Sequence, residues 1–321
     1  MKYNVLVTRA IPEKGLDLLR RECLLDIWPE ALPPSRDELL CMVEGIDGLL
    51  CLLSDTIDEE VMQAAGEQLK VISNYAVGTD NIDLQAAIAR NIKVGNTPGV
   101  LTEATADLAF ALLMAAARRV VEGSQYVQAG KWKTWGPKLL LGADVYGATL
   151  GIIGFGRIGQ ALACRAKGFN MKTLFYSRSE VPLETQNALN ATPCDLETLL
   201  RISDFISIHV PLTEETHHLI DEDAIAMMKP TAVLVNTARG GVVDTPALYD
   251  ALKTGKIACA ALDVTDPEPL PANHPLMQLE NCIITPHIGS ASRATRNQMS
   301  LIAAQNLLAG LHDEELPFPV F

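Results

Sequence analysis

The sequence predicts an α/β protein built from two parallel sheets, each covered by helices. Short apolar runs alternate with amphipathic segments from Tyr3 onward, and a second series of the same kind begins at Thr149. Alternating strands and helices form parallel sheets, because each helix returns the chain to the edge where the next strand starts. The length of 321 residues exceeds what one hydrophobic core usually supports, so the two series are expected to form two domains.

The first series occupies the N-terminal third of the chain. Its expected elements are strand Tyr3–Thr8, helix Pro12–Cys23, strand Leu24–Trp28, helix Arg36–Val43 and the strands Gly48–Leu53, Lys70–Ser73 and Ile92–Val94. No glycine-rich phosphate-binding pattern follows any of these strands. This half is therefore not where a nucleotide is expected to bind.

A long apolar helix is expected at Leu101–Val121, and a loop rich in glycine and tryptophan follows at Gln128–Gly142. The helix is nearly long enough to span a membrane, but Glu103, Asp107 and two arginines interrupt it. These charges favour a buried helix of a globular domain.

The second series opens with the pattern Gly154-x-Gly156-x-x-Gly159, between an apolar strand from Thr149 and a helix from Gln160. The first glycine permits a tight turn, the second lets backbone N–H groups approach a pyrophosphate, and the third lets the helix pack on the strand. The N-terminus of that helix adds unpaired N–H groups and a partial positive charge. This order of strand, turn and helix predicts a dinucleotide-binding domain.

The residues after the next strand indicate which dinucleotide binds. NAD enzymes usually carry Asp or Glu here, where it accepts a hydrogen bond from the ribose 2′-OH. In this chain the strand Lys172–Tyr176 is followed by Ser177, Arg178 and Ser179, with Glu180 one residue further along. Arginine can pair bidentately with a 2′-phosphate. NADP(H) is therefore the preferred cofactor in this interpretation, with NAD(H) as an accepted alternative.

Three later strands each end just before a residue that can take part in chemistry. The strands and these residues are, in order, Ala232–Asn236 with Arg239, Cys259–Leu262 with Glu268, and Ile283–Thr285 with His287. Ligands of open α/β sheets bind at the carboxyl ends of the strands. Arg239 would hold the carboxylate of a 2-oxo acid, and His287 would donate the proton to its carbonyl oxygen. Glu268 would orient the imidazole and favour its protonated form. The set predicts hydride reduction of a 2-oxo acid and the reverse oxidation of a 2-hydroxy acid.

The composition limits the possible binding partners of the protein and indicates its cellular compartment. The net charge of −13 opposes nonspecific binding to nucleic acid or to anionic membranes, and it requires a local cationic pocket for an anionic substrate. The seven cysteines are scattered and form no metal-binding spacing, so no metal site is expected. The N-terminus MKYNVLVT enters a strand directly, without a leader pattern, and we expect a cytoplasmic protein.

Extended motifs cover nearly the whole chain. They are NYAVGTDNID at 74–83, NTPGVLTEATADLAFALLMAAAR at 96–118, YGATLGIIGFGRIGQALA at 146–163, SRS at 177–179, HVPLTEET at 209–216, MMKPTAVLVNTARGGVVD at 227–244, ALDVTDPEPLPANHPL at 261–276 and ITPHIGSAS at 284–292. Through them the chain resembles the D-isomer-specific 2-hydroxyacid dehydrogenases, and within that family the glyoxylate/hydroxypyruvate reductases.

The resemblance implies Arg239, Glu268 and His287 as the catalytic set. It also implies that the backbone N–H groups of Val77 and Gly78 bind the substrate carboxylate, alongside Arg239 and His287. The cofactor-binding residues implied in this way are Thr102, Gly154, Gly156, Arg157, Ile158, Gly159, Ser177, Arg178, Ser179, Pro211, Thr237, Asp263 and Gly289.

The family fold has two doubly wound, Rossmann-like domains. The resemblance implies a flavodoxin-like substrate domain of residues 1–98 and 288–321, and an NAD(P)-binding Rossmann domain of residues 99–287. It also implies a homodimer formed through the cofactor domains. The loop with Trp132 and Trp135 resembles the family's dimer arm, from which a tryptophan would reach the partner's substrate pocket.

Other functions share parts of this pattern. A 2-ketogluconate reductase carries the same motifs and the same turn after the strand. NAD-linked D-lactate or phosphoglycerate dehydrogenases are disfavoured by Ser177, and phosphite or formate dehydrogenases are weaker alternatives. Dinucleotide-sensing corepressors can retain the same Arg, Glu and His, but the sequence shows no disordered or basic extension. Reduction of glyoxylate or hydroxypyruvate is the favoured hypothesis.

Overall fold

The structure, a computed structural model, describes residues 2–321, so Met1 of the expected domain 1–98 lies outside the described residues. It divides into two compact units. The first unit contains the chain up to Leu101 together with Ala291–Phe321, and the second contains Thr102–Ser290.

The first unit is a five-stranded sheet with helices on both faces. Its elements are β1 Tyr3–Val7, α1 Glu13–Leu19, β2 Cys23–Ile27, α2 Arg36–Met42, β3 Gly48–Cys51, α3 Glu59–Ala65, β4 Val71–Asn74, α4 Leu84–Ala89, β5 Lys93–Gly95 and the C-terminal helix Arg293–Leu311. All neighbouring strands pair in parallel, in the order β2-β1-β3-β4-β5. This is the flavodoxin-like strand order.

Two apolar layers hold the first unit together. One face of the sheet packs against α2, α3 and α4 through buried residues such as Leu49 and Ile72. The other face packs against α1 and the C-terminal helix, where Leu307 and Leu311 are fully buried. The last segment of the chain thereby completes the core of the unit that the first segment begins.

The second unit contains a seven-stranded sheet. Its elements are α5 Thr102–Ala117, α6 Val120–Gln128, β6 Thr149–Ile153, α7 Arg157–Gly168, β7 Lys172–Tyr176, α8 Leu183–Leu189, β8 Ala191–Pro193, α9 Leu196–Ile202, β9 Phe205–Ile208, α10 Glu222–Met227, β10 Val233–Asn236, α11 Thr245–Thr254, β11 Cys259–Leu262 and β12 Cys282–Ile284. The strands are parallel, in the order β12-β11-β10-β9-β6-β7-β8. Read from β8, the first six strands follow the Rossmann order 3-2-1-4-5-6, and β12 extends the sheet by one.

The predicted α/β fold class with two Rossmann-like sheets is therefore confirmed. In each sheet the strand order reverses beside the strand that comes first in the chain, which is β1 in one unit and β6 in the other. The next strand or strands of the chain lie on one side of this strand, and the later strands lie on its other side. Ligands of such sheets bind outside the carboxyl ends of the strands at this point.

The expected single helix Leu101–Val121 is wrong in one respect. It is interrupted at Arg119, whose φ of 51° is left-handed, so that α5 ends at Ala117 and α6 starts at Val120. The carbonyl of Ala117 accepts a hydrogen bond from the Ala143 N–H at 2.8 Å, and the Arg119 guanidinium pairs with Glu122 at 2.6 Å. A contact from a distant part of the chain thus ends the helix at a point where the local sequence remains helix-forming.

No helix within residues 2–321 has both the length and the apolar character needed to cross a membrane.

Candidate active site

The glycine turn lies between β6 and α7, as predicted. Gly154 has a φ of +93°, and a Cβ there would stand 2.5 Å from the carbonyl oxygen of His209. A Cβ on Gly159 would collide with the backbone oxygen of Gly154, so the helix can approach the strand only because this residue is a glycine. His209 itself is held by a 2.8 Å hydrogen bond between its Nε2 and the Ser207 hydroxyl, and burial lowers its pKa to about 4.

The start of α7 has the properties of a phosphate-binding helix terminus. Gly156 is its N-cap and offers no side chain to the free N–H groups, and no heavy atom lies within 4 Å of a Cβ placed on it. Arg157 and Ile158 are the first two helical residues, and no acidic residue lies in the first turn. These features fit a pyrophosphate, because backbone N–H groups and the helix dipole both favour an anion there.

The turn after β7 carries Ser177, Arg178 and Ser179. The Arg178 guanidinium lies 3.3 Å from the Glu215 carboxylate, and both side chains are exposed. Glu215 comes from the loop after β9, which also contains Pro211. Sequence reasoning did not select Glu215, because nothing local to Arg178 indicates a partner 37 residues away.

Two more of the expected cofactor residues lie near helix and strand ends. Thr237 follows β10, is 9% exposed, and its hydroxyl oxygen has no hydrogen-bond partner within residues 2–321. A buried hydroxyl without a partner is costly, so an external polar group is the natural partner for it. Thr102 is the first residue of α5.

The turn that carries Arg239 is fixed by a buried asparagine. Asn236 is 1% exposed, its side-chain amide donates to the Arg239 carbonyl at 2.8 Å, and its Oδ1 accepts from the Ala238 N–H at 3.0 Å. A Cβ on Gly240 would collide with the backbone of Thr265, so this turn packs tightly against the loop after β11. Sequence reasoning did not select Asn236, although its position at the end of a buried strand was a usable signal.

His287 and Glu268 form a direct pair. The imidazole Nδ1 lies 2.5 Å from the Glu268 Oε1, with side-chain exposures of 25% and 33%. When the carboxylate is ionised it can only accept, so that Nδ1 is then the donor of this pair and Nε2 remains for another partner. His287 has a φ of 51°, a left-handed conformation that is uncommon for residues other than glycine and that occurs at functional sites.

Asp263 holds the loop around His287 in place. It is 1% exposed, and its carboxylate accepts hydrogen bonds from the Thr285 hydroxyl at 2.6 Å, the Ile288 N–H at 2.9 Å and the Gly289 N–H at 2.7 Å. Its carbonyl accepts from the His287 N–H at 2.9 Å. In this structure Asp263 therefore positions His287, and its expected contact with the cofactor stays a prediction.

Val77 and Gly78 belong to the first unit, in the loop after β4. The Val77 carbonyl accepts from the Asn96 side chain at 2.7 Å, and the Gly78 carbonyl accepts from the Asn74 side chain at 2.9 Å. Their own N–H groups donate no hydrogen bond within the described residues. Two fixed carbonyls with adjacent unpaired N–H groups form a backbone arrangement suited to a carboxylate.

A second asparagine extends this network. The Asn81 Oδ1 accepts from Asn74 at 2.9 Å, while its amide nitrogen donates to the carbonyls of Leu52 and Asp55 at 3.1 Å each. The loop after β3 is thereby tied to the loop after β4. Both asparagines lie in the motif NYAVGTDNID at 74–83, but the sequence alone predicted no role for either of them.

Comparisons with known proteins identify the family of the chain. The family model for the NAD-binding domain of D-isomer specific 2-hydroxyacid dehydrogenases matches residues 110–289. This range includes the glycine turn, Arg239, Glu268 and His287. The chain belongs to the D-isomer specific 2-hydroxyacid dehydrogenase family. It is therefore an NAD(P)-dependent oxidoreductase, and the predicted nicotinamide dinucleotide cofactor is confirmed at that level.

The similarity to relatives extends over nearly the whole chain. A glyoxylate reductase of Korarchaeum cryptofilum is 54% identical over 311 residues, which are 96% of this chain and 93% of the relative. A protein of Thermus thermophilus has a crystal structure with a TM-score of 0.93 and 52% identity, covering 99% and 100% of the two chains. An NADPH-dependent glyoxylate/hydroxypyruvate reductase of Sinorhizobium meliloti, solved with NADP and malonate, has a TM-score of 0.87 and 31% identity, covering 100% and 97%.

Proposed function

We propose that the enzyme reduces glyoxylate and hydroxypyruvate with NADPH as the preferred reductant, giving glycolate and D-glycerate. The observation that carries this proposal is the His287–Glu268 pair at the carboxyl end of the cofactor-type sheet. The glyoxylate reductase of Korarchaeum cryptofilum, at 54% identity, supports the choice of substrate.

The dinucleotide, when bound, supplies a hydride to the carbonyl carbon of the substrate. As that carbon gains the hydride, its oxygen gains negative charge, and His287 Nε2 donates a proton to it. Glu268 holds Nδ1, fixes the ring orientation and stabilises the imidazole while it is cationic. Arg239 binds the substrate carboxylate, because a guanidinium makes charge-assisted hydrogen bonds to both carboxylate oxygens. It also polarises the carbonyl group of the substrate.

In the proposed cofactor site, the N–H groups at Gly156, Arg157 and Ile158 bind the pyrophosphate, and Gly154 and Gly159 shape the turn. The remaining proposed contacts are made by Thr102, Ser177, Arg178, Ser179, Pro211, Thr237, Asp263 and Gly289. Arg178 is the proposed partner of the 2′-phosphate, and the NADP found in the Sinorhizobium meliloti structure supports an NADP-type site. The first unit is the proposed substrate domain, in which the N–H groups of Val77 and Gly78 bind the substrate carboxylate.

Initial rates of NADPH and NADH oxidation test the proposal directly. Glyoxylate, hydroxypyruvate, 2-ketogluconate and pyruvate are compared in parallel with each cofactor. We expect the highest kcat/KM for NADPH with glyoxylate or hydroxypyruvate. A higher value for 2-ketogluconate would transfer the assignment to that substrate. Tight dinucleotide binding without turnover of any of the four acids would contradict the proposed substrates and bring the dinucleotide-sensor alternative back into contention.

A variant pair tests the substrate-binding role of Arg239. Arg239→Ala should lower kcat/KM for glyoxylate by about 10²- to 10³-fold, because a charge-assisted contact to the substrate is lost. Arg239→Lys keeps the charge but loses the bidentate geometry and should lie between the wild type and the alanine variant. Near-normal activity of Arg239→Ala would remove this residue from the site.

We also propose a homodimer formed through the second unit. Val120 and Val127 on α6 and Trp132, Trp135 and Leu141 in the loop after it are all exposed, with 77% of Trp135 accessible. An open groove of about 1070 Å³ in the same unit is lined partly by Arg119, Glu122 and Leu141 of this segment. A segment that is apolar and borders a groove can pair with its own copy around a two-fold axis.

Sedimentation velocity over a range of concentrations tests the dimer. The wild type should sediment as a dimer, and Trp135→Glu should sediment as a monomer at low concentration. The matched control is Leu24→Glu, which places the same charge on an exposed leucine of the first unit. A wild type that is monomeric at every concentration would contradict this proposal.

A further inference from the structure

Arg178 has an acidic neighbour at the place where a 2′-phosphate would be selected. Its Nη1 lies 3.3 Å from the Oε2 of Glu215, and the same carboxylate oxygen accepts a hydrogen bond from the Thr213 hydroxyl at 2.9 Å. The side chains of Arg178 and Glu215 are 62% and 73% exposed, so solvent and a ligand can reach both. The arginine expected to bind a phosphate therefore already contacts a carboxylate.

The backbone beneath Glu215 is firmly held. Thr216 is 5% exposed, its hydroxyl donates to the Pro211 carbonyl at 2.6 Å, and it accepts from the Thr213 N–H at 2.8 Å. This loop follows β9 at the carboxyl edge of the sheet, next to β6 and its glycine turn. Glu215 is thus presented to Arg178 by a fixed turn rather than by a chance surface arrangement.

A carboxylate at this position should weaken the binding of NADPH and favour the binding of NADH. It competes with a 2′-phosphate for the guanidinium and repels the phosphate, whose charge has the same sign. A ribose 2′-OH, in contrast, can donate a hydrogen bond to a carboxylate, which is the way NAD enzymes recognise this group. Position 177, where that acid usually stands, is a serine here, and Glu215 places an acid beside the same turn from a different loop.

We propose that Glu215 is a specificity-determining residue that weakens the discrimination in favour of NADPH and allows NADH to be used. This inference rests on the proposed function, in which Arg178 binds the 2′-phosphate. Both partners are exposed, and exposed ion pairs contribute at most about 1 kcal/mol, so the effect of Glu215 on the cofactor ratio is about two- to fivefold.

The test is a double-mutant cycle with two cofactors. The dissociation constants of NADPH and NADH, followed by nucleotide fluorescence, and their kcat/KM values at saturating glyoxylate are measured for the wild type, Glu215→Gln, Arg178→Ala and the double variant, and the NADPH/NADH preference ratio is taken from each. Glu215→Gln should raise the NADPH/NADH ratio about two- to fivefold. In the Arg178→Ala background the same substitution should change the ratio by a smaller factor, because the competition for the guanidinium is absent and only the direct action of the carboxylate on the phosphate and the 2′-OH remains.

A neighbouring glutamate provides the matched control. Glu214 is exposed and lies on the same turn, but within residues 2–321 the carboxylate that pairs with Arg178 is that of Glu215, so Glu214→Gln removes an equal charge without removing the pair. The shift in ratio for Glu215→Gln should also shrink at high ionic strength, where surface charges are screened.

The outcomes separate the inference from the proposed function. An unchanged ratio in Glu215→Gln, with Arg178→Ala selectively impairing NADPH, overturns the role of Glu215 and leaves the proposed function intact. An equal shift in Glu214→Gln overturns it as well, because general charge would then be the cause. If Arg178→Ala impairs both cofactors equally, the 2′-phosphate assignment fails together with the inference.

Discussion

The reacting end and the selecting end of the proposed cofactor site are built in different ways. At the reacting end, Asp263 is almost fully buried and its carboxylate accepts three hydrogen bonds from the loop that carries His287. At the selecting end, Arg178 and Glu215 are exposed and share one contact of 3.3 Å.

This difference separates two requirements of the reaction. Proton donation needs an imidazole held in one orientation, and buried charge-assisted hydrogen bonds provide this at the reacting end. Discrimination between two cofactors needs only a small free-energy difference, which exposed charges can supply and which single substitutions can change. We therefore expect substitutions at the reacting end to affect the rate strongly and those at the selecting end to affect cofactor choice moderately.

The largest effect is expected for His287→Asn. This variant removes the proton donor and should lower kcat for glyoxylate by about 10³-fold, within the usual range of general acid catalysis. Binding of NADPH, followed by its fluorescence, should remain within about twofold of the wild type, because the dinucleotide contacts proposed above do not involve the imidazole. A variant that keeps a tenth of the activity would show that another group supplies the proton.

The second prediction concerns the residue that positions His287. Asp263→Asn has one acceptor oxygen instead of two and turns an NH₂ group toward the N–H of Ile288 or Gly289, which leaves that N–H unpaired. We expect kcat to fall by about 10²-fold and the thermal midpoint to fall as well. Thr285→Val, which removes one of the three donors, is the control and should have a clearly smaller effect. A kcat of Asp263→Asn close to normal would contradict the rigid positioning of the loop.

The third prediction applies to the selecting end. Arg178→Ala should raise the KM for NADPH about tenfold and leave the KM for NADH within about twofold, because only NADPH carries the 2′-phosphate. The expected loss is at the low end for a charge-assisted contact, since Glu215 already engages the guanidinium. Steady-state kinetics with both cofactors measure it, and Arg178→Lys should give an intermediate KM. Equal increases for both cofactors would show that Arg178 does not distinguish them.

The same two ends differ in how well the sequence predicts them. Strand, glycine turn and helix are adjacent in the chain, so local spacing was sufficient to predict the turn at Gly154 and the dinucleotide domain. The strand ends also correctly predicted that Glu268 and His287 lie in the loops after two neighbouring strands, because parallel strands end at one edge of the sheet. Their direct pairing follows from that placement.

Interactions between distant segments could not be predicted in this way. The Glu215 partner of Arg178 comes from another loop, and the break at Arg119 follows from pairing of Ala117 with Ala143. Asn81 donates side-chain hydrogen bonds to the carbonyls of Leu52 and Asp55 in an earlier loop, for which a single sequence offers no pattern. Such contacts depend on the tertiary arrangement of loops rather than on local propensity.

The smallest effect at neutral pH is expected beneath the glycine turn, at His209. Burial lowers the pKa of this imidazole to about 4, whereas an unfolded chain binds the proton near the ordinary value of 6.5. Between these values the unfolded state carries one more proton, so the free energy of unfolding falls as the pH falls, by at most about 1.4 kcal/mol per pH unit. The fold around the glycine turn should therefore lose stability as the pH falls.

Denaturant unfolding between pH 7 and pH 4.5 measures this dependence. His209→Asn lacks the titrating group and should show a shallower decrease in the free energy of unfolding, while glyoxylate reduction at neutral pH stays within a few-fold of the wild type. His217→Asn, at an exposed imidazole, is the matched control and should keep the wild-type slope. A residue whose pKa is shifted on folding must contribute to the slope of the free energy of unfolding against pH. If the slopes of His209→Asn and the wild type coincide, other groups cause the acid sensitivity.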